Sequence, residues 1–376
     1  MKTVLAKVLY DGVSELRNVY ISFDDRIRYI GENKPDDAEL LAEGVVTPAF
    51  IDGHSHIGMV RAGEPSAEEE SNETMESIYP IVNALHSVYM DDGAFRDSVE
   101  SGVLYSVVLP GSGNPIGGKA VLLRNYAGNV SEAYMMDIGV KAALGYNPRS
   151  TKEWEGKRPT TRMGAVGMLR ENFIRARNVS NLVRNGKKDV EEIEPITKVF
   201  MDILSGKYRM MVHLHREDDL MVLFSLVDEF GLKAIVNHAL DFYRVEPFAE
   251  MKRRGIPLVY GPMDAHPYKV ELKHESWRNA GNVIESGVEF CLMSDHPVIL
   301  QRNLFLTVRH FLRFGMSRNE AISHLTSIPA RILNIQDLGR LDTGYIPSMV
   351  VWSSDPFSLE SHPKMVIGEG KVLYEE

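Results

Sequence analysis

Two histidines with one residue between them, His54 and His56, follow closely after an apolar run at residues 45–51. The run predicts a buried strand, and residues i and i+2 of a strand point the same way. Both imidazoles can therefore reach one point in space, as the ligands of a borderline-soft divalent metal, usually zinc, must do. A His-x-His pair taken alone is more often a surface pair, so this hypothesis needs further ligands elsewhere in the chain.

Other side chains of the metal-binding type close three further apolar runs. They are His213 and His215 in one run, His238 in the next, and Asp295 in a third. The alternation of strand and helix patterns predicts a parallel barrel, whose strands all end on the face that carries the active site. Scattered surface histidines would show no preference for strand ends. We therefore predict that these side chains converge on one site.

The two ends of the chain carry a different pattern from the middle. Residues 1–47 and 331–376 contain short β-rich runs separated by turn-rich segments. Because the edges of a sheet need partners, we predict that both termini build one small β-sandwich domain, rather than two unrelated extensions. A (β/α)8 TIM-like barrel of the α/β class, formed by residues 48–330, is then inserted between them.

The composition argues against nucleic acid and membrane as partners. Apolar residues make up 44% of the 376 residues, and the formal net charge of −10 disfavours binding to phosphate backbones. The single cysteine, Cys291, excludes an internal disulfide and fits a reducing compartment. The N-terminus lacks a signal-peptide pattern, and no apolar run reaches the ~20 residues of a membrane span. We expect a cytoplasmic protein.

With these residues in hand, the chain resembles the metal-dependent amidohydrolase superfamily, and within it the imidazolonepropionase-like amidohydrolases. The first barrel strand of that family reads Pro-Gly-Phe-Ile-Asp-x-His-x-His, and here Ala49 replaces the glycine. The segment at residues 326–330 is similar to the family's Thr-x-Asn-Pro-Ala, with Ile328 in place of asparagine. Further similar stretches lie at residues 110–118, 143–148, 161–164, 213–219, 294–298 and 339–350.

The resemblance implies a role for individual residues. It implies one or two divalent ions, most simply Zn²⁺, with Asp295 and His238 as catalytic residues. The implied metal ligands are His54, His56, His213, His238, Asp295 and Lys141. His215 stays a second choice for the ligand from its strand, and Lys141 is the residue that some members carboxylate to bridge two metals. A lysine whose ammonium reaches solvent or pairs with a carboxylate is the alternative for Lys141. Candidates for substrate contact are His215, Arg216, His266 and Asn114.

The implied activity is hydrolysis of a C–N bond, other than a peptide bond, in a cyclic or linear amide. A metal-activated water attacks the carbon, while Asp295 handles the proton. The alternatives are a deaminase that uses the same water on a heterocycle, and a catalytically silent metal-binding relative. A small-molecule substrate follows from the resemblance, and a homo-oligomer is an expectation at the level of the family.

Overall fold

The computed structural model describes residues 1–149 and 158–376. Its strands, numbered along the chain, are β1 (Lys2–Tyr10), β2 (Glu15–Phe23), β3 (Ile27–Gly31), β4 (Glu39–Pro48), β5 (Phe50–Ser55), β6 (Val103–Val108), β7 (Ile116–Arg124), β8 (Tyr134–Ala143), β9 (Arg209–Leu214), β10 (Ala234–His238), β11 (Leu258–Tyr260), β12 (Phe290–Leu292), β13 (Met349–Trp352), β14 (Pro363–Gly368) and β15 (Lys371–Glu375).

The helices lie mostly between the central strands. They are α1 (Gly93–Glu100), α2 (Val130–Ala133), α3 (Arg162–Arg184), α4 (Pro195–Leu204), α5 (Glu217–Phe230), α6 (Glu246–Arg254), α7 (Asn279–Ser286), α8 (Arg309–Leu312), α9 (Arg318–Ser323) and α10 (Ser327–Leu333). Short 3₁₀ helices cover Ser66–Glu68, Ala84–Ser87, Val190–Glu192, Val270–Leu272 and Gln301–Val308. Within the described ranges, no helix combines the length and apolar character needed to cross a membrane.

Both chain ends contribute to one sheet, as the sequence predicts. Its strand order is β15-β14-β13-β4-β1-β2-β3, so β4 of the N-terminal part pairs with β13 of the C-terminal part. The fully buried residues Val4, Ile21, Val46, Met349 and Ile367 form its own apolar core. The predicted β-sandwich is not confirmed, since all seven of these strands belong to a single hydrogen-bonded sheet.

The central sheet has eight strands in the order β12-β11-β10-β9-β8-β7-β6-β5. The strands from β8 to β12 run parallel, and so do β5 and β6, but β7 is antiparallel to both of its neighbours. The predicted all-parallel barrel is therefore wrong at this one strand. Only residues 109–115 join β6 to β7, and a parallel crossover needs about a dozen or more residues.

The two edge strands of the central sheet, β5 and β12, meet at their C-terminal ends. The backbone N–H of Asp295 donates to the carbonyl oxygen of His54, and that of His56 donates to His296, both at 3.0 Å. These bonds bring the first and last strands of the sheet together in a nearly closed, TIM-like barrel. They also hold the predicted ligands His54 and His56 beside Asp295.

A buried carboxylate, Asp52, reinforces this junction between β5 and the segment after β12. Its Oδ1 accepts hydrogen bonds from the N–H groups of Ser294 at 3.0 Å and of His54 at 3.3 Å. Its Oδ2 accepts from Ser294 Oγ and, at 2.7 Å, from Gln301 Nε2. Burial raises the pKa of Asp52 to about 6 even though these donors favour the ionised form. Four donors thus depend on one side chain.

We expect Asp52→Asn to lower the free energy of unfolding by about 2–5 kcal/mol, because the amide NH₂ would face donors and leave buried groups unsatisfied. Urea unfolding at neutral pH measures the change. The same substitution at Asp97, whose ion pair with Arg302 is exposed, should cost less than about 1 kcal/mol. Equal losses for the two variants would contradict this account.

An aromatic contact joins the barrel to the terminal sheet. Phe50, at the start of β5, is fully buried and stacks on Phe305 with ring centroids 5.3 Å apart. The ring of Trp352, in β13, lies 6.2 Å from that of Phe50. Three aromatic side chains from three elements therefore share one apolar volume between the two sheets.

Phe50→Ala should destabilise the protein by about 3–5 kcal/mol. The substitution leaves a cavity, and the packed side chains around it can move only partly to fill it. Leu359→Ala is the matched control: that side chain is 99% exposed, so its removal should change stability by no more than about 0.5 kcal/mol. Thermal and urea unfolding of both variants measure the difference. A loss at Phe50 below about 1 kcal/mol would show that the junction carries little stability.

Candidate metal centre

A first cluster of ligand-type side chains forms where β5 meets the segment after β12. Asp295 Oδ1 lies 3.3 Å from His54 Nε2 and 3.2 Å from His56 Nε2. The two imidazole rings of the His-x-His pair have centroids 5.2 Å apart, as expected for side chains on the same face of a strand. His54 is fully buried. One strand end and one loop thus bring three potential ligands together.

Backbone contacts orient two of these imidazoles. His56 Nδ1 lies 2.7 Å from the carbonyl oxygen of Leu109, and His238 Nδ1 lies 3.0 Å from that of Gly261. A carbonyl only accepts, so Nδ1 carries the proton in both rings and Nε2 keeps its lone pair. Backbone carbonyls orient metal-binding histidines in this way.

His54 has a side-chain partner instead. The Asn237 amide nitrogen lies 2.7 Å from His54 Nδ1. Metal binding through His54 Nε2 requires a proton on Nδ1. That proton needs an acceptor, so the amide oxygen of Asn237, and not its nitrogen, must face His54 Nδ1. If the oxygen and nitrogen of the Asn237 amide are exchanged, Oδ1 accepts a hydrogen bond from His54 Nδ1–H. Without the exchange, Asn237 Oδ1 lacks a hydrogen-bond partner in the described ranges.

A second cluster consists of His213 in β9, His215 directly after that strand, and His238 at the end of β10. His213, His215 and His238 offer ligand atoms that all lie within 4.8 Å of one another. The ring of His213 is 4.4 Å from that of His238 and 4.7 Å from that of His215, measured between centroids. His238 also groups with His54 and Asp295, so it lies between the two clusters.

Four of the six histidine ring nitrogens in this second cluster lack hydrogen-bond partners among the described residues. Neither ring nitrogen of His213, nor Nδ1 of His215, nor Nε2 of His238 has a hydrogen-bond partner within residues 1–149 and 158–376. Buried polar atoms are rarely left so. Lone pairs that converge without donors are what a divalent cation requires, so these residues fit a metal ion.

Burial keeps these imidazoles neutral. It holds the pKa of His213 and of His238 well below the usual range, and lowers that of His54 to about 3 and that of His215 to about 4. Burial alone would raise the pKa of Asp295, but the adjacent histidines hold it well below its usual range. Neutral imidazoles beside an ionised carboxylate are the forms that bind a metal.

Lys141, in β8, is fully buried, and its Nζ lies 3.3 Å from His54 Nε2. The alternative that its ammonium reaches solvent is therefore wrong. Burial lowers the pKa of Lys141 to about 7, because the charged amine has lost most of its hydration. The structure thus holds a lysine that is readily neutral beside the histidine cluster.

The clusters open into a cavity of about 310 Å³. Its wall includes His56, Lys141, His213, His215, His238 and Asp295 at the base, with Asn72, Ser112, Asn147, His266, Tyr268 and Lys269 among the residues around them. A cavity of this size suits a small molecule. Of the predicted substrate contacts, His215 and His266 therefore lie at the cavity.

The other two predicted substrate contacts do not line this cavity. Asn114 is fully buried, and its amide donates to the carbonyl oxygens of Glu73 at 3.1 Å and Glu76 at 2.8 Å. Asn114 therefore links the loop between β6 and β7 to the segment that contains Glu73 and Glu76. Arg216 points away from the histidines, since its side chain is 48% exposed and its guanidinium lies 3.6 Å from Asp218. Successive side chains at a strand end alternate in direction, which separates Arg216 from His215.

Sequence reasoning missed Glu271, in the 3₁₀ helix Val270–Leu272. This carboxylate is 2% exposed, and its Oε1 lies 3.7 Å from His213 Nε2 and 4.0 Å from His215 Nε2. It lies in a segment without helical or strand periodicity. The one available signal was its position between two apolar residues, Val270 and Leu272.

Comparisons with known proteins agree with this geometry. The amidohydrolase family model matches residues 196–373. The amidohydrolase tasK of Hapsidospora irregularis is 26% identical over 374 residues, covering 91% of this chain. This chain spans only 38% of that relative's length.

Solved structures show the same relationship. The crystal structure of an amidohydrolase from Thermotoga maritima MSB8 is 27% identical, covers 100% of both chains and superposes with a TM-score of 0.93. A Xaa-Pro dipeptidase with methionine in its active site shares the fold, at a TM-score of 0.61 and 15% identity over 100% of both chains. The predicted resemblance to the amidohydrolase superfamily is confirmed by these likenesses.

Proposed function

We propose that the protein is a zinc-dependent hydrolase that cleaves a C–N bond, other than a peptide bond, in a small cyclic or linear amide. The observation that carries this proposal is that buried, neutral imidazoles, several of them with unpartnered nitrogens, gather beside the carboxylate of Asp295 at the base of one cavity. His54, His56, His213, His238 and Asp295 would hold the metal. The single cysteine, Cys291, supports a cytoplasmic location.

Asp295 is the residue that moves protons in this proposal. A bound divalent ion would lower the pKa of a water toward about 7 and polarise the substrate carbonyl. The ionised Asp295 accepts the proton of the attacking water and delivers it to the leaving nitrogen. The backbone N–H of Asp295 donates to the carbonyl oxygen of His54, which holds this carboxylate beside the two histidines.

His238 fits the role of a ligand better than that of an oxyanion donor. Its Nδ1–H is committed to the carbonyl oxygen of Gly261, which leaves a lone pair on Nε2. That atom could donate a hydrogen bond to an oxyanion only after protonation, which its buried position opposes. His238 then acts in catalysis by positioning the metal.

Lys141 supports a centre with two ions. A neutral lysine amine can attack CO₂: the nitrogen forms a bond to the carbon, one C=O π bond opens to an oxyanion, and the nitrogen passes one proton to solvent, which leaves an anionic carbamate. A pKa near 7 makes the neutral amine available, and the carbamate would be an anionic ligand beside His54. If Lys141 is not carboxylated, its role is to adjust the charge at the base of the cavity.

The first test is metal content. Elemental analysis of protein purified without chelators should find at least one zinc per chain, and His54→Ala should lose at least one ion because it removes a ligand. His362→Ala, which replaces an exposed histidine paired with Glu376, should keep the full count. Incubation with ¹³C-bicarbonate reports a carboxylated Lys141 by the ¹³C signal of the carbamate.

No divalent ion in the wild-type protein, even after added zinc, would remove the basis of the proposed hydrolase. It would favour a catalytically silent relative. An ion count that is the same in His54→Ala as in the wild type would show that the ion binds elsewhere.

The second test is the role of Asp295. With saturating zinc, we expect Asp295→Asn to lower kcat/KM by about 10²–10⁴-fold, the range for loss of a general acid–base group. The assay uses a panel of cyclic amides, linear amides, dipeptides and heterocyclic amines, scored for both amine and ammonia release. Asp264→Asn, in an exposed pair with Arg309, should retain activity.

The panel distinguishes the proposed amide hydrolysis from deamination and from dipeptide cleavage. Ammonia released only from heterocyclic amines would identify a deaminase, and cleavage of dipeptides alone would contradict the proposed bond class. Asp295→Asn with more than a tenth of wild-type activity would contradict the proton-transfer role.

A further inference from the structure

Another cavity, of about 360 Å³, lies at the opposite end of the barrel from the histidines and is here called the basal cavity. Residues at or near the N-terminal ends of β9 to β12 line it, among them Arg209, Ala234, Pro257 and Glu289. Arg209 and His213 are four residues apart on β9, which is about 13 Å along a strand. A small molecule in the basal cavity therefore lies beyond contact with the metal centre.

Part of the wall of the basal cavity is apolar. Its buried apolar side chains come from the starts of the strands and from α10, and they are Leu232, Ala234, Ile256 and Ile332. Ligand sites in proteins combine such apolar surface with a few polar or charged groups that fix the orientation of the ligand. The apolar part of this wall can therefore contact the carbon skeleton of a small organic molecule.

Positive charge is concentrated on the rest of the wall. Four of the residues that line the basal cavity are cationic, namely Arg209, Lys233, Arg254 and Arg331, whereas the one acidic residue among its lining residues is Glu289. The whole chain carries a formal net charge of −10. The basal cavity thus has the opposite charge balance to that of the protein as a whole, and it favours an anionic ligand.

Two of these four cations have carboxylate partners. Arg331 Nε lies 2.6 Å from Glu289 Oε1. Arg254 Nη1 lies 2.8 Å from Asp228 Oδ1, and Arg254 Nε lies 2.6 Å from Glu250 Oε1. The charges of both guanidinium groups are therefore compensated within the protein, and these two arginines serve mainly to build the wall.

The other two cations, Arg209 and Lys233, have no carboxylate partner within residues 1–149 and 158–376. Arg209 is half-buried, and its Nη1 donates to the carbonyl oxygen of Ile332. That bond holds the guanidinium in place but leaves its charge uncompensated. A Cβ on Gly206 would lie 3.0 Å from Lys233 Nζ, so this ammonium lies over the turn that leads into β9 and Arg209.

We propose that the basal cavity binds a small organic dianion, either a phosphate monoester or a dicarboxylate. Its charges face Arg209 and Lys233, and its carbon skeleton lies against the apolar part of the wall. Two uncompensated cations match two negative charges. A guanidinium presents paired donors that suit phosphate and carboxylate, and an ammonium adds a compact point charge. This site goes beyond the proposed hydrolase activity and does not depend on it.

Isothermal titration of the protein at low salt, with phenyl phosphate and separately with phthalate, tests this site. The two probes carry the same aromatic ring and differ in the anion, so the tighter one identifies the anion that the site prefers. Lys233→Gln removes one exposed cation and should weaken binding about tenfold or more, as expected for a lost hydrogen bond to a charged group. Lys187→Gln makes the same charge change at an exposed lysine after α3 and should bind as the wild type does.

Arg209→Lys keeps the charge but loses the paired donors, so it should also weaken binding, and urea unfolding checks that this variant keeps its fold. No binding of either probe at millimolar concentrations would overturn the proposal. So would a Lys233→Gln variant with wild-type affinity. Binding that survives in Lys233→Gln but is lost in His54→Ala would place the anion at the metal centre, which also overturns it. None of these results alters the metal count or the activity on which the hydrolase proposal depends.

Discussion

The functional half of this molecule depends on one constraint, which is that several imidazoles are buried together without donors to share. A buried histidine cannot easily become charged, and a neutral one must expose a lone pair on one of its nitrogens. His56 and His238 each use a backbone carbonyl to keep that lone pair on Nε2. The remaining nitrogens need an electrophile, and a divalent cation is the simplest one that fits. The cluster is therefore incomplete as a purely protein structure.

The barrel meets this requirement through its strand ends. Four strands, β5, β8, β9 and β10, each deliver one or two side chains to the same face at or just after their ends. The junction of β5 with the segment after β12 adds Asp295 beside the first of them. Asp52 strengthens that junction from beneath, since it holds Ser294, the residue before Asp295. The positions of the ligands are thus set by backbone pairing and by a buried carboxylate, and not by the ligands themselves.

Much of this arrangement could be predicted, and the exceptions have physical reasons. The ends of several strands can be located in the sequence because their apolar runs stop at histidines. The convergence of His54, His213 and His238 could therefore be predicted. The reversal at β7 was not, because an apolar run has no direction and only loop length distinguishes the two cases. Glu271 was invisible because it lies on an aperiodic loop, where burial is decided by tertiary contacts. Asn114 and Arg216 were misplaced because being close to a site in sequence does not determine which way a side chain points.

The pairing of β4 with β13 has a consequence for how the chain is made. Pro48 pairs with Met349, so the N-terminal strands are synthesised long before their neighbours on that side exist. Until Met349–Trp352 leave the ribosome, β4 presents an open edge with unpaired amides and carbonyls. Such distant pairing also slows folding, since a large loop must close first. The sheet therefore stays half built until β13 has been synthesised, and the pairing of β13 with β4 removes this exposed edge.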